Sequence, residues 1–325
     1  MIGVVGALVS FAEGSTLLRE LAGLAVAVKQ VERTAEALGA ALAADEAAVV
    51  EAAPTLAAPT LYLGVDGTGV PMRPSEVAGR VGKQADGTAQ TREVKVCAVW
   101  SAEGRAPDGT PVRDPGSVTY SAAIESAASR DTDPGPSAFA ARARREATRR
   151  GFDRAGRRVV LGDGAPWIWN LADEHFPGAL QIVDRFHAKE HVSAVAKAVY
   201  GPTGALGTHW AQRRHAELDA GDTPALLRAL GRHAPTHPEA RAAQEYFRRT
   251  RERMRYPAFH AAGLCTSTGV VEAGCKVVVG TRLKRAGMHW TLRGANAILA
   301  LRCAQLSGRF EEFWERRAEA LREAA

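Results

Sequence analysis

Three short apolar runs in this chain each end on an aspartate. Leu61-Tyr-Leu-Gly-Val65 leads into Asp66-Gly67, Val159-Val-Leu161 into Gly162-Asp163-Gly164, and Ala179-Leu-Gln-Ile-Val183 into Asp184. Brief apolar runs closed by turn residues read as buried strands. Val94–Trp100 and Ser117–Ser121 have the same texture, which makes five strands, and residues 73–93 between them read as a Gly-rich loop. Phe139–Arg150 follows a helical, basic pattern. Residues 186–262 read as almost pure helix, starting with His187–Tyr200. The tail from Gly294 to Ala325 is a long helical segment with Phe313 and Trp314 on its apolar stripe. A mixed sheet followed by a helical block defines an α/β protein with an all-α insertion.

The 325 residues allow two domains or one elaborated domain. With 46% hydrophobic and 24% charged residues, the chain is globular rather than disordered. Its net charge of +6 suits a polyanionic partner. Cys97, Cys265, Cys275 and Cys303 form no C-x-x-C pair, which argues against a zinc ribbon and a disulfide framework. His187 and His191 stand i,i+4 without a second ligand pair, so zinc is not expected. No run of about 18 apolar residues occurs, so no membrane span is expected. The apolar opening, Met1–Ser10, lacks a positive leader region and reads as a strand or helix. The expected location is the cytoplasm.

Ser15 to about Glu51 reads as helical, with Ser15 as the N-cap and Leu17, Leu18, Leu21 and Leu24 at helical spacing. Gly23 divides it into two helices, the second carrying Lys29-Gln-Val-Glu-Arg33. The pattern fits a helix-turn-helix, in which Lys29 and Arg33 would meet DNA, and equally a plain helical hairpin. Residues 52–60, with two prolines among small residues, read as a linker.

A carboxylate at a strand end sits on a rigid element yet reaches solvent, as a hard-metal site requires. Two Mg²⁺ ions about 3.5–4 Å apart can clamp the attacking and leaving oxygens of a phosphodiester. Asp-Gly also simply makes turns, but Asp66 and Asp163 each follow an apolar strand directly. Glu272 is a third acid, in the otherwise nearly uncharged Ser267–Gly280. It either pairs with Lys276 one helical turn on or serves a site. Val277-Val-Val279 leaves helix and strand both open for this segment.

Four blocks occur in order: Leu63-Gly-Val-Asp-Gly-Thr-Gly-Val-Pro-Met72, Leu161-Gly-Asp-Gly-Ala-Pro-Trp-Ile-Trp-Asn170, Ile182-Val-Asp-Arg-Phe-His187 and Gly269-Val-Val-Glu-Ala-Gly-Cys-Lys276. Together they resemble the conserved blocks of ISKra-type bacterial insertion-sequence transposases of the DDE superfamily. The resemblance continues through Arg282-Leu-Lys-Arg-Ala-Gly-Met-His-Trp290 and Arg293-Gly-Ala-Asn-Ala-Ile-Leu-Ala300, and spans about Phe11 to Trp314. It implies an RNase H-like mixed sheet with an all-α insertion, preceded by a small helical segment. The implied divisions are 1–51 (helical), 52–60 (linker), 61–191 (first part of the core), 192–263 (insertion) and 264–325 (C-terminal helices of the core).

The resemblance further implies that Asp66, Asp163 and Glu272 are catalytic and hold two Mg²⁺ ions, replaceable by Mn²⁺, with Glu272 on a helix. Asp184-Arg-Phe-His187 resembles the accessory D-x-x-H element, whose Asp184 can cap a helix one turn before His187. The implied reaction is DNA cleavage and strand transfer on element ends and target DNA, by a homo-oligomer assembled on DNA. Family members are typically longer at the N-terminus. The alternative is therefore a short, inactive DNA-binding remnant or a regulator of an intact element.

Basic residues gather in three groups. Arg142–Arg158 and Arg241–Arg255 are expected to be solvated helix faces, whereas Lys276, Arg282, Lys284 and Arg285, with Trp290 beside them, are expected to contact phosphates. Trp167 is a candidate for stacking on a base, and either it or Trp169 for core packing.

Overall fold

The computed structural model describes residues 1–49, 54–82, 84–127 and 137–323. Five strands, β1 (Thr60–Pro71), β2 (Thr91–Trp100), β3 (Thr119–Ala123), β4 (Arg157–Gly162) and β5 (Leu180–Val183), form one sheet. Its order is β3-β2-β1-β4-β5. β2 runs antiparallel to β1 and β3, whereas β4 and β5 run parallel to β1. An antiparallel meander extended by two parallel strands is the RNase H-like arrangement, and the expected α/β class is what the chain adopts. A two-residue ladder, Gly104–Arg105 with Pro111–Val112, sits apart.

The strand cores lie where the apolar runs are, but β1 is longer than its run. It continues through Asp66 to Pro71 because β2 keeps pairing with it, Asp66 opposite Val96 and Pro71 opposite Thr91. β4 leaves β1 at Gly64, opposite Leu161. Asp66 is therefore not at a strand terminus; it lies just past the point where one neighbour departs. Within residues 73–93, Pro74–Val77 form a helical turn and β2 begins at Thr91.

Three helices precede the sheet: α1 (Ile2–Leu8), α2 (Phe11–Ala22) and α3 (Val28–Ala48). Ser10, not Ser15, caps α2, in a reciprocal capping box with Glu13. Ser15 lies inside that helix, and its hydroxyl donates to Val26 O at 2.6 Å. α2 ends at Gly23, where the sequence divides the two helices. Positions 50–53, at the expected boundary between helical segment and linker, lie outside the described residues.

After β3 come α4 (Ala138–Arg149), β4, α5 (Pro166–His175) and β5. The helical block follows: α6 (Arg185–Tyr200), α7 (Ala205–Asp219), α8 (Thr223–His233), α9 (Pro238–Thr250) and α10 (Tyr256–Ala261). The chain then returns to the sheet as α11, three consecutive pieces: Gly269–Gly274, a π-helical stretch Cys275–Gly280, and Thr281–Leu283. The valines of this segment are thus helical. α12 (Leu292–Leu306) and α13 (Phe310–Glu323) divide the tail in two. Phe313 is buried, whereas Trp314 is 40% exposed.

The core is continuous from the sheet into the helices. Tyr62, Leu63, Val65, Val96, Val99, Trp100, Val160 and Leu161 are fully buried, and Ile298, Leu299 and Leu301 of α12 join them. α3 lies along α12 so closely that a Cβ on Gly39 would fall 2.1 Å from Ala297 O. Only glycine fits that crossing.

Candidate active site

Asp66 is half-buried in β1. Its Oδ1 accepts from the Gly67 N–H at 2.7 Å and its Oδ2 from the Cys275 thiol at 3.3 Å. Asp163 follows β4, level with Asp66 on the adjacent parallel strand. Its Oδ1 accepts from Ala165 N at 2.8 Å, fixing the turn into α5. Gly164 takes φ +104°, a left-handed conformation costly for any other residue. A Cβ there would also lie 2.4 Å from the Tyr246 ring, whose hydroxyl donates to Asp163 O at 2.9 Å. α9 thus locks the strand-to-helix turn that carries Asp163.

Glu272 lies in the first turn of α11, exposed, beside Val271, which is buried over Gly64. Cys275, nearly one turn on, touches Asp66, so α11 lies across β1 at the level of that carboxylate. Burial pushes the Asp66 carboxyl up from its ordinary range. The Cys275 thiol and Gly67 N–H oppose this, and the negative charges of Asp163 and Glu272 add to it. Two acids far away in sequence are therefore near enough to Asp66 to act on its charge at this end of the sheet. The Glu272–Lys276 ion pair considered from the sequence is not formed among the described residues. Instead Glu272 Oε1 accepts from the Thr268 hydroxyl at 2.8 Å.

These oxygens are the donor type that Mg²⁺ prefers. Among the described residues, however, no three His, Cys, Asp or Glu side chains converge tightly enough to form a ready metal cage. One oxygen of Glu272 is held by the Thr268 hydroxyl.

Asp184 is fully buried and caps α6, accepting from His187 N at 2.8 Å. Its other oxygen accepts from Thr268, through the backbone N–H and through the hydroxyl at 2.6 Å. The His187 ring is half-buried, its Nδ1 3.3 Å from Glu190 and its edge toward His191 with ring centres 5.0 Å apart. His191 packs on Tyr246 with ring centres 4.1 Å apart, and its pKa is lowered, by burial first and then by His187, against a smaller opposite pull from Asp163. Sequence reasoning passed over Thr268, Cys275 and Tyr246. Only the Thr four residues before Glu272 offered a local signal.

The basic residues separate. Lys276 and Lys284 are exposed, and the Lys284 ammonium donates to Thr68, two residues beyond Asp66. Arg285 forms a two-pronged pair with Glu13 at 2.5 and 2.6 Å. Arg282 and Trp290, expected on a DNA-facing surface, are interior. Arg282 is completely buried between the rings of Phe11 and Trp290 and donates to Gly6 O at 2.9 Å. Burial lowers its pKa to about 10. Trp290 is 6% exposed and donates to Leu283 O. Trp167 is half-buried, edge-on to Phe139 with Lys95 over its ring. Lys29 is exposed but paired with Glu32, and Arg33 is exposed. Of the first arginine group, Arg142 pairs with Glu125, Arg144 with Asp153 and Arg149 with Glu146. Arg142 and Arg149 hold internal ion pairs rather than forming the expected solvated face.

Comparison with protein-family models gives no match, and comparison with curated proteins gives none either. Among solved structures, the Drosophila P element transposase strand transfer complex is similar at 10% identity, over 97% of this chain and 80% of that one, with a TM-score of 0.29. A likeness so loose carries no argument about activity. No helix among the described residues is long and apolar enough to cross a membrane.

Proposed function

We propose that this chain is a DDE-type transposase of the ISKra kind, which cleaves DNA at insertion-sequence ends and transfers the cut strand to target DNA. One observation carries the reading. Asp66 and Asp163, singled out by their sequence blocks, lie level on adjacent parallel strands, and the helix that carries Glu272 crosses there and touches Asp66 through Cys275. Carboxylates gathered at one end of a sheet, with burial as the main cause that holds Asp66 toward its neutral form, suit a hard cation that would compensate their charge. Asp66, Asp163 and Glu272 would hold Mg²⁺ or Mn²⁺, and a pair of such ions supplies an activated water or 3′-hydroxyl and stabilises the leaving oxygen.

The chain's own residues define the rest. Asp66, level with Asp163 on the adjacent strand and touched by Cys275 of the helix that carries Glu272, would be held together with them as ligands of the ions. Lys276 and Lys284 flank the site on its exposed rim and suit phosphate contacts that orient the strand. DNA is the partner, and a homo-oligomer on DNA would hold two ends at once. No Ser, Tyr or Cys nucleophile is required; the Cys275 thiol is buried, and its pKa is raised by burial and by Asp66.

The test is incubation of the protein with a candidate element end and Mg²⁺. Nicking and strand transfer are expected for the wild type, and loss of both, with DNA binding kept, for Asp66→Ala. Binding without nicking by the wild type would instead support the inactive-remnant reading. Strand transfer retained by Asp66→Ala would refute the assignment of the site.

A further inference from the structure

We propose that Thr268 is the positioning residue for Glu272, itself anchored by the buried carboxylate of Asp184. This rests on the reading of Asp66, Asp163 and Glu272 as a cation site. Thr268 is the N-cap residue of α11 and 3% exposed, yet its hydroxyl makes no cap bond to that helix. Threonine at this position ordinarily turns its oxygen to the helix amides. Here the hydroxyl is directed between two carboxylates, 2.6 Å from Asp184 Oδ2 and 2.8 Å from Glu272 Oε1.

A fully buried carboxylate is tolerated only when its oxygens are satisfied. Asp184 meets that condition through His187 N and the Thr268 N–H, the single proton of the Thr268 hydroxyl being shared between Asp184 and Glu272, and Arg185 N donates to Thr266 O at 2.9 Å alongside. The start of α6 and the start of α11 are thereby joined at one buried point. Glu272 is exposed and would otherwise sample several rotamers, at an entropic cost whenever a cation fixed it. Thr268 ties it to the rigid end. Because a hydroxyl proton rotates freely about its C–O bond, it can turn fully to Asp184 when Glu272 moves toward a cation. The contact orients the glutamate without competing for it.

The experiment measures Mn²⁺ binding to the full chain by calorimetry without DNA, with thermal melting alongside, for wild type, Thr268→Val, Thr268→Ala, Thr268→Ser and Asp66→Ala. Thr268→Val and Thr268→Ala are expected to weaken Mn²⁺ binding about tenfold, as loss of a partner behind a metal ligand does. Thr268→Ser, which keeps the hydroxyl, should stay near wild type. Thr268→Ala adds no methyl group against the carboxylates and decides the matter if Thr268→Val fails to fold. Unchanged affinity in the folded Ala or Val variant overturns the proposal, as does a Ser variant as weak as Ala. If the wild type binds Mn²⁺ no better than Asp66→Ala, the cation site itself fails and the role of Thr268 falls with it.

Discussion

At the residue scale, Asp66 carries an energetic consequence separable from catalysis. Burial and two neighbouring acids hold its proton more tightly in the folded protein than in the unfolded chain. A raised carboxylate pKa means that the folded state binds more protons than the unfolded one above the ordinary aspartate range, so stability falls as pH rises through that window. Asp66→Asn removes the charge while keeping the shape. In EDTA near neutral pH the variant should melt at a higher temperature than the wild type, and the difference should vanish in acid, where both forms are uncharged. Adding Mn²⁺ should raise the wild-type melting temperature and leave the variant unmoved. A variant less stable than wild type across the whole range would contradict the burial argument. Asp66 and Asp163 were legible because each closes an apolar run, a pattern that survives in one dimension. Thr268 and Cys275 were not, since their meaning comes from Asp184 and Asp66, which reach them only through the folded sheet.

At the element scale, the π-helical stretch Cys275–Gly280 is the unusual part of α11. An i→i+5 turn is wider than the α form and is held in place by its surroundings rather than by propensity. Arg302 of α12 supplies that support. It is 5% exposed and donates to Val278 O at 2.6 Å, to Val277 O, to Thr281 Oγ1 at 2.8 Å and to Ala7 O at 2.6 Å. Removing it strands two buried carbonyls, those of Val278 and Ala7, and frees two partly buried acceptors. Arg302→Leu should therefore cost about 3 kcal/mol in urea unfolding. Arg302→Lys should recover only part of this, because an ammonium lacks the planar fork. An unfolding midpoint equal to wild type for Arg302→Leu would dismiss the support role. The valines 277–279 left helix and strand open because local preference says strand while the packing of α11 on β1 and α12 says helix, and packing wins. Arg282 misled for a related reason: arginine beside lysine reads as surface, and nothing local announces that Phe11 and Trp290 will enclose it.

At the scale of the whole molecule, the N-terminal helices and α11 form one structure. Arg282 reaches Gly6 O, Arg302 reaches Ala7 O, Arg285 grips Glu13, and α3 crosses α12 at Gly39 with room for no side chain. The three arginines leave α11, its following loop and α12 and end on α1 or α2. The orientation of Glu272 is thus mechanically continuous with residues 2–22. Removing residues 1–49 would bare the apolar flank of α12, take Gly6 O and the Phe11 ring from Arg282, and take Ala7 O from Arg302. Each loss alone is of the size that unfolds a marginal protein. A chain of residues 54–325 should accordingly be insoluble, or soluble only without a cooperative melting transition, whereas an independent DNA-reading domain would detach without harm to the core. Size-exclusion chromatography and calorimetry of that fragment decide between the two. A monodisperse fragment that melts cooperatively near the full-chain temperature would mean that the arginine contacts decorate the seam rather than hold it.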